Sequence, residues 1–197
     1  LVERIMLVTL SPSKGQDFEE PALSKKFSKP ADLKDSELLI KELRKITSKQ
    51  LQEMMDISEN IAELNVDRYK TFKTPFSKKN AKQAIFAFKG DVYSGLELSS
   101  FDEDDYAYAQ DHLRILSGLY GVLRPRDRVE AYRLEMGLKW APPGAANPVA
   151  YWRDRITDRL NRDLKKGEAV LSVAAQEYMK AVDVEARRIR FAADPAG

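Results

Sequence analysis

Apolar residues in this chain come in short blocks separated by polar punctuation, and the spacing inside each block predicts its element. Ile5 to Leu10 reads as a first strand, closed by Ser11-Pro12-Ser13-Lys14-Gly15. Asp32 to Ile46 has helical spacing, with Leu39, Leu43 and Ile46 on one face. Thr47 or Ser48 caps a short helix carrying Leu51, Met54 and Met55, and Ser58 caps another carrying Ile61, Leu64 and Tyr69. Ala84 to Phe88 is a short apolar run that predicts a second, buried strand. Asp102 to Leu116 predicts a helix with Tyr106, Ala109, Leu113 and Leu116 inward and Gly118 at its end. Leu119 to Leu123 predicts a strand broken by Arg124-Pro125, Pro148 to Leu164 a helix through Trp152, Ile156 and Leu160, and Ala169 to Ala174 a strand leading into a helix at Gln176. Alternating strands and helices predict an α/β fold with a mixed sheet. The unbroken helical run predicts a helical insertion over residues 32–70 within one domain spanning 1–197.

Composition narrows the chemistry. The chain has no cysteine and one histidine, His112, so disulfides, thiolate ligands and multi-histidine metal sites are excluded. No run has the length of a membrane-spanning helix and no secretory signal is legible, so the expectation is a cytosolic protein without a membrane partner. The net charge of +2 says little, but its distribution is uneven. Arg68 to Lys89 carries seven Lys or Arg and no acid, and Glu97 to His112 carries six acids and no Lys or Arg. The basic block is a candidate surface for a polyanion, with a solvated face balanced by the acidic block as the alternative. Asp102 to Asp105 fall in the first turn of a predicted helix, where the helix dipole favours acids. Capping accounts for them better than a hard-cation site that also recruits Asp111, and neither a metal nor a cofactor is expected.

Several predicted strands end in polar loops, the arrangement by which open α/β sheets build sites. These loops deliver Ser11 and Lys14, then Lys89, Asp91 and Tyr93, then Glu177 and Tyr178. A fourth segment carries Arg124, Arg133 and Glu135, and guanidinium forks suit phosphate or carboxylate. Glu135 could instead pair with either arginine, and Lys89 with Asp91 in a local turn. If eight of these, Ser11, Lys14, Lys89, Asp91, Tyr93, Arg124, Arg133 and Glu135, converge in one cleft, Asp91 or Glu135 could act as a base, Lys89 as an electrophile and Arg133 as an anion clamp. No nucleophile–base pair is legible, and His112 reads as a surface residue.

Five segments, SPSK at Ser11, AFKGDVYSGL at Ala87, LSGLYGVLRPRD at Leu116, YRLEMG at Tyr132 and EYMKAV at Glu177, resemble the YaaA family of bacterial peroxide stress proteins. The match runs in order from Met6 to about Val182. The resemblance implies a cytosolic protein that limits free iron and the DNA damage it causes. It also implies a helix-hairpin-helix element, a positively charged cleft and binding to double-stranded DNA, without an assigned reaction. Family members run on with a further strand and a basic helix, so a C-terminal segment is expected to be missing. The family's SPAKTLD is SPSKGQD here, its NLASxEY has Ser172 for Asn and Ala175 for Ser, and the proline before YRLEMG is Ala131.

Two functions follow. One is sequence-independent duplex binding through Lys70, Lys73, Lys78, Lys79 and Lys82, with a hairpin near Asp56 to Glu59 as the helix-hairpin-helix candidate. The other is an enzyme or small-anion binder at the strand ends, using Lys14, Lys89, Asp91, Arg133 and Glu135.

Overall fold

The computed structural model describes residues 7–165 and 168–183. Strand β1 (Leu7–Leu10) has Leu7, Thr9 and Leu10 buried, as a strand flanked on both sides must. Ile5 and Met6, read as its start, lie outside the described residues. Three helices follow: α1 (Leu33–Leu43), α2 (Ser48–Met55) and α3 (Glu59–Thr71). Thr47 closes a reciprocal capping box with Gln50 at the start of α2, and Asp56 ends it in the left-handed region at φ 51°. Their inward residues, among them Leu39, Leu43, Leu51, Met55, Ala62 and Tyr69, join the same hydrophobic cluster as β1.

The middle of the chain corrects two expectations. Ala84 to Phe88 is not a strand. A two-residue strand β2 (Lys82–Gln83) passes directly into one helical turn, α4 (Ala84–Ala87). Five consecutive apolar residues buried on every side carry no alternation from which a period can be read. A second turn, α5 (Asp91–Ser94), follows. The Asp102–Leu116 block then splits into helix α6 (Glu103–His112) and strand β3 (Leu113–Ser117). Leu113 and Leu116 fit a helical stripe, but Ile115 and Arg114 are buried as well, and pairing on both edges decides for the strand. The remaining elements are β4 (Gly121–Leu123), β5 (Arg128–Val129), α7 (Pro148–Asp163), β6 (Val170–Ser172) and α8 (Gln176–Met179).

The main sheet has the order β4-β3-β1-β6, with β1 parallel to β3 and β6, and β4 antiparallel to β3. β2 and β5 form a separate antiparallel pair. The fold is therefore α/β with a mixed sheet, as expected. α7 covers β4 through Trp152, whose indole N–H donates to the Gly118 carbonyl at 2.7 Å. The parallel strands β1 and β6 end side by side, and the loops that leave them build the site. Among the described residues no helix is long and apolar enough to cross a membrane.

Candidate functional site at the strand ends

Ser11, the first residue past β1, ties three segments together. Its Oγ accepts the Ala175 N–H from the loop after β6 at 2.7 Å, and its carbonyl accepts the Tyr93 hydroxyl from α5 at 2.8 Å. The chain from Gly15 to Asp17 then runs against Ala87 to Lys89, through Lys89 N–H to the Gly15 carbonyl (2.9 Å) and Asp17 N–H to the Ala87 carbonyl (2.8 Å). Gly90 closes this corner at φ 130°, and a Cβ there would meet Ser13 Oγ at 3.3 Å. The positive φ is what favours glycine here.

Gln16 clamps the fourth segment: its amide accepts the Tyr132 N–H at 3.1 Å and donates to the Tyr132 carbonyl at 2.8 Å. This fixes Arg133 and Glu135 beside the Ser11–Lys14 loop. Arg133 donates through Nε and Nη2 to Glu135 Oε1 at 3.0 and 2.9 Å, and Lys14 Nζ stands 3.8 Å from the same oxygen. The other oxygen, Oε2, is buried and has no hydrogen-bond partner. Tyr69 of α3 donates its hydroxyl to the Arg133 carbonyl, so the helical insertion holds this segment from behind. Tyr178 is buried beside Glu135, Tyr132 and Tyr93, and desolvation keeps its phenol protonated far beyond neutral pH. Glu177 accepts the Gly137 N–H at 3.2 Å and so holds the strand-end loop to the YRLEMG segment.

Lys89 does not pair with Asp91. Its ammonium meets Asp17 Oδ2 at 3.1 Å, and Lys82 approaches the same oxygen at 3.7 Å. The Glu20 N–H, then Lys89, hold the Asp17 carboxyl well below the usual carboxylate range. Asp91 is exposed and lines the same hollow as Lys14 and Lys89.

Of the eight strand-end residues, seven (Ser11, Lys14, Lys89, Asp91, Tyr93, Arg133 and Glu135) line two adjoining hollows, a recess of about 20 Å³ and an open basin of about 480 Å³. Arg124 does not join them. β4 runs antiparallel to its one neighbour in the sheet, β3, so its carboxyl end points the other way, and Arg124 is spent on Asp127 (3.0 Å) and the Lys29 carbonyl (3.3 Å). Of the five lysines expected to meet a duplex, Lys82 is buried. It is 7% exposed, donates to the Asp17 carbonyl at 2.9 Å and offers nothing to a surface ligand. Lys70, Lys73, Lys78 and Lys79 are exposed, with Lys70 beside Asp67 at 3.7 Å.

The acidic run is occupied by structure. Asp102 and Asp105 form a capping box, and Glu103 binds Ser24, Lys26 and Arg126. No group of three or more His, Asp or Glu suited to a metal occurs among the described residues. His112 bonds the Tyr108 carbonyl at 2.8 Å and stacks on its ring at 4.0 Å. Gln16 and Asp17 were missed by sequence reasoning, although they sit in the quoted SPSKGQD stretch. Arg128 was missed as well, and nothing in its local sequence singles it out.

The fold and site define an α/β protein whose central parallel strands open onto a cleft lined by lysine, arginine and tyrosine. The chain belongs to the YaaA family: a family profile described as peroxide stress protein YaaA matches residues 6–195. It is 51% identical over 179 residues to a UPF0246 protein of Alteromonas mediterranea, covering 90% of this chain and 69% of that protein. It is 45% identical over 183 residues to a UPF0246 protein of Saccharophagus degradans, covering 92% of this chain and 72% of that one.

Proposed function

We propose that this chain acts in the cytosol under peroxide stress and limits iron-dependent oxidative damage by binding double-stranded DNA without reading its sequence. The observation that carries this is a continuous basic track. The recess at Glu135 shares Lys14 with the strand-end basin. The basin shares Lys89 and Tyr93 with a third hollow of about 420 Å³, which shares Glu20, Pro21 and Lys82 with a fourth of about 350 Å³ bearing Lys25, Lys78 and Lys79. Along this run, leaving out the buried Lys82, seven Lys or Arg face five Asp or Glu. A shallow, open, cationic track suits a phosphate backbone rather than a base edge. The α2–α3 hairpin is a weaker candidate for a helix-hairpin-helix grip, because Asp56 and Glu59 at its tip repel phosphate.

The test is binding of a mixed-sequence duplex across a salt series, read by fluorescence anisotropy. Affinity is expected to fall linearly on a log–log plot, with each lost phosphate contact reducing the slope by roughly 0.9. The double variant Lys78→Glu/Lys79→Glu should weaken binding and flatten the slope. Salt-independent binding, or an unchanged double variant, overturns the proposal.

Glu135 favours a second reading. A buried carboxylate oxygen without a donor is costly and is suited to accept an N–H or O–H from a small ligand, with Lys14 alongside for an anionic group. This reading takes precedence if Glu135→Ala abolishes peroxide protection in cells while duplex binding stays intact.

A further inference from the structure

Arg128 is 6% exposed and has no carboxylate within 4.0 Å among the described residues. It lies on β5, opposite Gln83 of β2. The adjacent acid, Asp127, is already spent: its carboxylate takes the side chain and N–H of Arg124 and the hydroxyl of Ser28. Gln83 is spent too, donating to the Ser24 and Lys26 carbonyls. The Phe27 ring covers one face of the Arg128 guanidinium at 3.5 Å and fixes its plane. Nε is buried without an acceptor, and Arg128 lines the hollow of about 350 Å³.

Three lysines share the lining of that hollow. Lys25, Lys78 and Lys79 are exposed and, among the described residues, none has an ion-pair partner. Glu19 and Glu20 line it as well, so four uncommitted cations stand against two carboxylates. A desolvated guanidinium that remains charged and lacks a counter-ion is unfavourable until an anion arrives. A carboxylate would satisfy the planar fork alone. A tetrahedral phosphate offers two oxygens to the fork and further oxygens to the ammonium groups.

We infer that Arg128, with Lys25, Lys78 and Lys79, is the receptor for one phosphate group. A phosphodiester of a DNA backbone and a free or terminal phosphomonoester present the same oxygens, so the inference stands independently of the duplex reading.

Two measurements test it on the full chain. In the first, inorganic phosphate is titrated at constant ionic strength against chloride, and the melting temperature is followed. The wild-type temperature should rise specifically with phosphate. Arg128→Gln should weaken phosphate by about tenfold or more, with Arg128→Lys in between. If Arg128→Gln does not fold, Lys78→Ala/Lys79→Ala, confined to exposed positions, should show the weakening instead. No phosphate-specific rise in the wild type, or an undiminished rise in the variant that folds, overturns the inference. The second measurement compares duplexes with 5′-hydroxyl and 5′-phosphate ends. Equal binding, competed by phosphate, assigns a backbone phosphodiester; tighter binding of the 5′-phosphate assigns a terminal monoester; both sustain the receptor. No duplex binding with the phosphate rise intact sustains it too and overturns only the duplex reading.

Discussion

Asp17 accepts the N–H groups of Glu19 and Glu20 through Oδ1 and meets the ammonium of Lys89 through Oδ2, with Lys82 close behind. Every one of these favours the ionised form, so its folded pKa lies below the unfolded value of about 3.9. The stability it contributes is therefore present above about pH 4 and is lost as pH falls through the folded value. Asp17→Asn should lower the urea midpoint at pH 7, and the gap from wild type should close as pH drops below about 4. A gap that does not change with pH would show that Asp17 acts through packing alone. Gly121 offers a purely steric case. Its φ is +67°, and a Cβ would stand 2.5 Å from Trp152 Cζ3. The indole has no room to retreat, being fully buried and bonded to Gly118. Gly121→Ala should cost roughly 3 kcal/mol, from overpacking and the left-handed backbone together, measured by chemical denaturation.

Elements were legible wherever a local signal set their limits. A cap at Thr47 or Ser48 and the Pro148 start of α7 were both readable, and α2 starts directly after Thr47 and α7 at Pro148. Thr47→Ala keeps the backbone N–H that donates to Gln50 but removes the hydroxyl that accepts the Gln50 N–H at this exposed helix start, so a loss of about 1 kcal/mol in denaturant unfolding is expected. Signals failed where tertiary pairing decides. Leu113 to Ser117 is a strand because β1 and β4 flank it, and no residue inside it says so. Arg124 was misplaced for the same reason: the direction of β4 is a property of the sheet and not of LYGVL. Lys82 looked like any surface lysine until β2 paired with β5 and turned its stem inward over Asp17. The strand-end cluster was legible in part, since Ser11 and Lys89 directly follow apolar blocks and Lys14 and Tyr93 come in the short polar loops after them. Arg128 was not, because its isolation depends on Asp127 being taken by Arg124.

At the scale of the molecule, the net charge of +2 is too small to draw this chain to DNA by itself. If duplex binding occurs, the arrangement of charge must cause it, and this separates the track from mere basicity. Lys78 and Lys79 line the track, whereas Lys45 and Lys70 lie off its four hollows and sit beside Glu42 (2.6 Å) and Asp67 (3.7 Å). Reversing either pair to glutamate shifts the net charge from +2 to −2. The surface ion pairs lost with Lys45 and Lys70 contribute little to folding, so both double variants should remain folded. A nonspecific field would weaken duplex binding equally in the two. A track makes them unequal: reversal of Lys78 and Lys79 removes direct phosphate contacts and should lower both the affinity and the salt slope, by roughly 0.9 per contact. Reversal of Lys45 and Lys70 should leave the slope unchanged and act only through the screened long-range field, an effect that fades as salt approaches about 0.15 M and the Debye length shrinks to about 8 Å. Equal slopes in the two variants would mean that the four adjoining hollows do not act as one surface.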